Sequence, residues 1–327
     1  MKHSTKSAPN NIVRNVLIGV MLGILVIAGF LVFVDFQKVM HEMINMPVHL
    51  LLLAFLLTFF SYLLRLWKWH SFTKWSRFSL SFKDNAVIFF VGLMMSITPG
   101  KAGELIKAYF MQVKADVPYS ESVPIVIYDR LTDVLAMLAL VSVGLLVYPF
   151  GLPSLIVVVV MLVIGFFVIQ RRSWMVRIID GLTKNKKRRR FREAFHHFYE
   201  QTIFLLQFRF LTFSFFVSVA SWLLECISLY LVIQAFSLDV SFLASILTFS
   251  LGTIAGALSM IPGGIGAAEG SLAGLLVYFG VDGSLAVTIS LIIRFVTLWF
   301  GVILGMIVFI FNRKSLALGK TSKQAEN

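Results

Sequence analysis

Nine charged residues lie inside long apolar runs, and their types are those that hold anions and carry protons. Lys101, Glu104 and Lys107 follow one another at i, i+3, i+6 spacing, which on a helix gives them roughly one face. Asp129, Arg130 and Asp133 form a second group, while Glu225, Glu269 and Arg294 stand singly in apolar surroundings. A charge facing lipid at a helix centre costs ~2.5–3.5 kcal/mol even on the lenient insertion scale, so these groups are expected to converge on a polar, partly hydrated groove. There Lys101, Arg130 and Arg294 would receive a phosphate, and the acids would balance them or carry protons. The competing expectation is a set of internal ion pairs, Arg130 with Glu104 and Arg294 with Glu269, that fix helix packing. His41, His49, His70, His196 and His197 show no metal spacing with carboxylates and read as interfacial. No metal, no cofactor and no catalytic constellation are expected.

Two interrupted segments position these charges. Pro262-Gly263-Gly264-Ile265-Gly266, followed by Glu269, lies between apolar runs, and Pro99-Gly100-Lys101-Ala102-Gly103-Glu104 repeats its pattern of Pro99, Gly100 and Gly103. Proline removes a backbone donor and glycine relaxes the chain, so a helix breaks at each. Lipid cannot satisfy the freed backbone groups, which confines such a break to a protein-covered or cavity-lining place. Arg130 lies 31 residues after Pro99 and Arg294 lies 32 after Pro262, the mark of an internal repeat. Corresponding broken segments in two halves point to a transporter's substrate site, with the helix N-termini after Pro99 and Pro262 adding backbone donors for an anionic headgroup.

Composition sets the class. With 58% hydrophobic and 14% charged residues, most of the 327-residue chain cannot face water, and it reads as an all-α polytopic membrane protein. The net charge of +13 is gathered in a few loops, the positive-inside pattern, so nucleic acid is not expected as a partner. The single Cys226 excludes an intrachain disulfide framework. Full spans are expected at Ile12 to Val34, a retained first helix, then at Val48 to Leu66, Ser122 to Val147, Ser154 to Gln170, Phe210 to Phe236 and Ser284 to Phe311. Arg65 would snorkel at the end of the second span, and Lys68, Lys74, Arg77 and Lys83 would form an interfacial belt with Trp67, Trp69 and Trp75. The half-length pieces are Asn85 to Ile97, Lys101 to Met111, Ser241 to Ile261 and Gly264 to Phe279.

If each broken segment goes in and returns, every basic loop falls on one side of the membrane. The expected architecture is then six full helices plus two re-entrant hairpins in an inverted repeat, with both termini cytoplasmic and the Pro149 to Pro153 turn outside. One integral-membrane domain covers residues 1–311. It holds the first hairpin and helix at 85–147, a polybasic cytoplasmic loop at 171–209 and the second hairpin and helix at 241–311, and a polar tail fills 312–327. Anionic lipid is expected to attract the polybasic loop, at ~1 kcal/mol per basic residue near the surface. The pairs Gly252 and Gly256, Gly270 and Gly274, and Gly301 and Gly305 read as close helix-packing positions.

The Pro99 to Glu104 stretch, the Asp129-Arg130-Leu131-Thr132-Asp133 element and the Pro262 to Glu269 break resemble the flippase-like family typified by the membrane domain of bacterial lysylphosphatidylglycerol synthases. The resemblance runs over roughly residues 12 to 311, and it departs from the family at Asp129, where glutamate is common. It implies an inner-membrane protein linked to moving aminoacylated or glycosylated lipids between leaflets. Full-length synthases add a soluble aminoacyltransferase domain, and the chain is expected to be a stand-alone membrane region without it. The preferred expectation is a lipid translocator acting on a phospholipid or glycolipid. The alternatives are a membrane-embedded aminoacyltransferase using Glu104, Asp129 or Glu269 as base, and an accessory subunit for a separate synthase or glycosyltransferase.

Overall fold

Ser81 and Ser241 each start a helix in the same way, the hydroxyl accepting the backbone N–H three residues on, from Asp84 at 3.1 Å and Ala244 at 3.2 Å. Four residues before each serine, a non-glycine residue in the left-handed region ends a 28-residue helix, Arg77 at φ 59° and Ser237 at φ 55°. These stations are 160 residues apart, the same separation as Arg65 and Glu225, which touch. The repeat inferred from the two breaks therefore begins earlier, with a full helix before each hairpin.

The computed structural model describes residues 44, 46–98, 103–145, 156 and 189–317. Within them the first half comprises α1 (Val48–Trp75), α2 (Phe82–Met94), α3 (Ile106–Ala115) and α4 (Tyr119–Leu145). An amphipathic α5 (Arg189–Leu205) leads to the second half, α6 (Phe208–Ala235), α7 (Phe242–Leu258), α8 (Ala267–Tyr278), α9 (Gly283–Arg294) and α10 (Phe300–Ala317). A single π-turn, Phe295–Trp299, joins α9 to α10. All the described secondary structure is helical, as a bilayer requires of a chain that must satisfy its own backbone groups.

Packing interleaves the halves. Helices α1 and α6 lie against each other, and their contacts Thr58–Ser228, Ser61–Glu225 and Lys68–Ser218 run in opposite senses along the two axes, so they are antiparallel. Helix α10 of the second half packs on α2 of the first, and α4 of the first packs on α7 of the second. At the two crossings Gly305 meets the backbone of Phe90 and Met94, and Gly144 meets Leu247. Each hairpin is thus clasped by the long helix of the other half.

Three described helical stretches are long and apolar enough to cross a membrane, Val48–Trp75, Phe208–Ala235 and Gly283–Asn312. Helix α4 matches them in length, with 27 residues, but carries Asp129, Arg130 and Asp133. Helices α2 and α3, with 13 and 10 residues, rise only about 20 and 15 Å, short of a ~30 Å hydrocarbon core. The expected spans at residues 12–34 and, apart from Ile156, 154–170, together with Pro99, Gly100, Lys101 and the Pro149 to Pro153 turn, lie outside the described residues.

Three expectations need correction. The second span does not stop at Leu66 but runs to Trp75, because Arg65, Lys68, Trp69 and Phe72 form a buried face and the two charges are paired rather than turned to water. The polybasic segment is not wholly loop, since α5 occupies its last part, burying Tyr199 and Leu205 and donating from Gln201 Nε2 to Ser76 Oγ at 2.6 Å. Gly252 and Gly256 do meet Leu272 and Ala268 across the second hairpin, and Gly301 meets Tyr62, but Gly270 and Gly274 face open space.

Candidate functional site

Helices α1 and α4 and the hairpin arm α3 of the first half, with α6 of the second, build a buried ionic network. Lys68 Nζ, fully buried on α1, lies 2.7 Å from Asp133 Oδ1, 2.9 Å from Asp129 Oδ1 and 2.8 Å from Ser218 Oγ on α6. Lys107 Nζ on α3 lies 3.1 Å from Glu104 Oε2 and 3.2 Å from Asp129 Oδ2, with its charge 4.7 Å from the centre of the Trp69 ring. The stem of Lys107 passes where a Cβ on Gly92 would stand, so the approach of α2 to α3 depends on that glycine. Arg130 reaches three carboxylates, Asp129 at 2.9 Å, Asp133 at 3.0 Å and Glu104 at 3.1 Å. Arg65 lies 3.4 Å from both Asp133 and Glu225 and sits 4.5 Å over the Trp222 ring. Arg65, Lys68, Lys107 and Arg130 thus face Glu104, Asp129, Asp133 and Glu225, and the formal charges cancel. Such cancellation is what lets eight ions stay at depth, since an unpaired one would forfeit several kcal/mol of solvation.

The second half repeats the motif in reduced form. Arg294 donates from Nε to Glu269 Oε1 at 2.8 Å and from Nη2 to the carbonyl of Gly263, while Glu269 Oε2 accepts the N–H of Gly266 at 2.6 Å. One ion pair therefore closes both sides of the Pro262 break, satisfying backbone groups that the bend frees. Glu104 and Arg130 are 26 residues apart and Glu269 and Arg294 are 25 apart, so a carboxylate after each break pairs with an arginine on the following helix. The π-turn starts directly after Arg294, a local irregularity of the kind found at functional positions.

The two breaks meet. The 3₁₀ turn Met95–Ile97 packs against Pro262–Gly264, and Ile97, Ile265 and Val302 form a small apolar contact between them. Beside this contact is a cleft lined by Arg65, Glu104, Glu225 and Arg294 with Tyr62 and Trp222. Hydroxyls of Ser96, Thr98 and Thr253 add neutral donors and acceptors. The cleft therefore brings cations, carboxylates and an aromatic face together with apolar side chains such as Leu93, Phe249 and Leu298.

Of the residues anticipated from sequence, Glu104, Glu225, Gly263, Gly264 and Arg294 line this cleft. Glu269, Arg130, Lys107 and Asp133 pair directly with lining residues, whereas Asp129 lies behind them in the network. Glu225 and Glu269, single in the sequence, each have an arginine and a further donor, Ser61 at 2.9 Å for Glu225 and the Gly266 N–H for Glu269. Lys101 lies outside the described residues. Arg65 and Lys68 were misplaced at the interface; they are 5% and 0% exposed and are central to the network. The anticipated set carried five acids against four bases, and that deficit was the signal for a missing cation. No group of three or more His, Cys, Asp or Glu among the described residues is arranged to hold a metal ion.

Residues 20–305 match the family described as the lysylphosphatidylglycerol synthase TM region. The chain belongs to that family. The match takes in both breaks, the ionic network and the cleft. Curated relatives include a UPF0104 membrane protein of Pyrococcus horikoshii, 23% identical over 91% of this chain and 97% of its own length. Another, from Methanothermobacter thermautotrophicus, is 24% identical over 86% of this chain and 90% of its own. A second UPF0104 protein of that organism is 48% identical over a stretch covering 28% of each chain. Within the synthase TM-region family, this chain therefore carries the paired breaks as part of a full-length resemblance rather than as an isolated motif.

Proposed function

We propose that this member of the synthase TM-region family is a lipid translocator of the cell membrane. In this reading the two broken segments are re-entrant hairpins of an inverted repeat, and both termini face the cytoplasm. The headgroup crosses through the cleft between the hairpin tips while acyl chains stay in the bilayer. Arg65 and Arg294 receive its phosphate or other anionic groups, and Glu104 and Glu225 balance them. The observation that carries the reading is the place where the tips meet: charges from both halves line one cleft there, on a scaffold whose halves pack antiparallel. That is the arrangement from which alternating access proceeds, because a repeated and inverted structure can exchange the roles of its halves.

Purified protein in liposomes carrying headgroup-labelled phospholipids and glycolipids should exchange at least one of them between leaflets. Arg294→Ala should lower that exchange at least about tenfold, the equivalent of one lost charge-assisted hydrogen bond, with expression and monodispersity followed alongside. Undiminished exchange in a well-folded Arg294→Ala protein would remove the phosphate-receiving role.

A further inference from the structure

One end of the α1–α6 pair carries a second polar surface, away from the cleft. Trp75 of α1 stacks on Phe210 of α6 with ring centres 4.4 Å apart, and Phe213 stands edge-on to both Trp75, at 5.2 Å, and Trp67, at 4.9 Å. Trp67, Trp75 and Phe213 form the wall of a groove that also presents Ser71, Lys74 and Arg209. Arg209 and Trp75 are shared with an adjoining groove that adds Arg77, Ser76 and Gln201. No carboxylate lines either groove, and Lys74, Arg77 and Arg209 form no ion pair with any described residue. Of the anticipated Trp and Lys belt, Lys74 and Arg77 stay outward here, as Lys83 does elsewhere, while Lys68 and Trp69 are buried.

The internal repeat supplies a control for what the fold itself needs. At the other end of the same helix pair, 160 residues along the repeat, Lys74 corresponds to Gln234, Trp75 to Ala235, Arg77 to Ser237 and Arg209 to His49. Those helix ends make the same turn, with a left-handed residue at the same position and the same serine cap, without the lysine, the arginines or the tryptophan. The basic and aromatic side chains are therefore additions to one end of the scaffold. Tryptophan belongs at the headgroup level, and a cation there gains from anionic lipid in the adjoining leaflet.

We propose that the groove between α1 and α6, formed by Trp67, Ser71, Lys74, Trp75, Arg209 and Phe213, binds an anionic glycerophospholipid of the leaflet it faces. The phosphate lies between Lys74 and Arg209, and the glycerol and upper acyl carbons lie along the ring wall. The site needs only that the chain sits in a bilayer, so it stands apart from the translocation reading.

The test uses full-length protein in nanodiscs and acyl-brominated phosphatidylglycerol or phosphatidylcholine as the probe, with quenching of tryptophan fluorescence as the readout. The parent should be quenched at a lower mole fraction of phosphatidylglycerol than of phosphatidylcholine. Lys74→Gln combined with Arg209→Gln should remove that preference, by about fivefold for each charge. Lys74→Arg with Arg209→Lys should retain it, which separates loss of charge from loss of fold. Neutralising Lys186 and Lys187 in the polybasic segment should leave it unchanged. A preference that survives the glutamine pair, or that disappears only with the polybasic substitutions, overturns the proposal. Lipid exchange in the liposome assay can fail while this preference persists, and the reverse also holds, so the two readings fall separately.

Discussion

Lys68→Met is expected to be among the most damaging single substitutions in the chain, although it removes a residue from what reads as an interfacial belt. The ammonium is fully buried and holds Asp129, Asp133 and Ser218 together. Methionine fills the stem's space but leaves the network with four carboxylates against three cations. Breaking a buried pair on one side typically costs about 3–5 kcal/mol, a large part of the total stability of a folded protein. Folded yield and thermal midpoint in detergent should fall sharply. Asp133→Asn should do the same with the opposite excess charge. The double variant Lys68→Met with Asp133→Asn restores neutrality and should recover most of the lost stability, giving a coupling of the two sites well outside additivity. If the double variant is as unstable as the sum of the singles, charge balance is not what holds the network.

The same pair distinguishes packing from function. Neither Lys68 nor Asp133 lines the cleft, so a neutral, stable double variant should retain lipid exchange. Arg294→Ala, at the cleft wall, should lose exchange with a smaller loss of stability, since Glu269 keeps its bond to the Gly266 N–H. Effects on folding should therefore be largest behind the cleft and effects on transport largest at its wall.

Much of this was legible in the sequence because it rests on local rules. Proline and glycine clustered together inside an apolar run mark a break, as lone Pro124 inside α4 does not, and the repeated spacing from Pro99 to Arg130 and from Pro262 to Arg294 places an arginine opposite each. The pairs Glu104–Arg130 and Glu269–Arg294 follow from that spacing and are present. What hid the rest was the assumption that lysine and arginine near the end of an apolar run reach for water. Arg65 and Lys68 are set three residues apart on the face of α1 that α4 and α6 cover, and their partners are 61 or more residues away in sequence. The antiparallel meeting of α1 and α6 was likewise out of reach of a reading based on the breaks, because no proline or glycine marks it. The faint sign was the match of Ser81-Phe82 with Ser241-Phe242, each opening a hairpin.

Gly103→Val and Gly264→Val should each loosen one hairpin tip and not the other. A Cβ on Gly103 would stand 2.5 Å from Thr98 Oγ1 and 2.8 Å from the carbonyl of Met95, so valine must displace the turn whose hydroxyl now accepts the Gly103 N–H. Gly264 has φ +65°, and its Cβ would stand 2.8 Å from Cα of Gly256, a backbone atom that cannot rotate away. Valine there is opposed both by its own backbone conformation and by the wall of α7. Ser96 and Ile261 both line the cleft, one beside each break, and serve as reporters when replaced by cysteine after Cys226 is removed. With an impermeant thiol reagent applied from each face of oriented vesicles, Gly103→Val should raise labelling at position 96 and leave position 261 near its parent rate. Gly264→Val should do the converse, from the opposite face. Both should slow lipid exchange, since a translocation pathway used from two sides needs both tips, whereas a pocket for catalysis would need one. Where valine prevents folding, alanine at the same positions introduces the Cβ alone and should produce the same pattern in weaker form. Identical labelling of both reporters in both variants would mean that the tips do not act as separate gates, and the translocator reading would lose its mechanism.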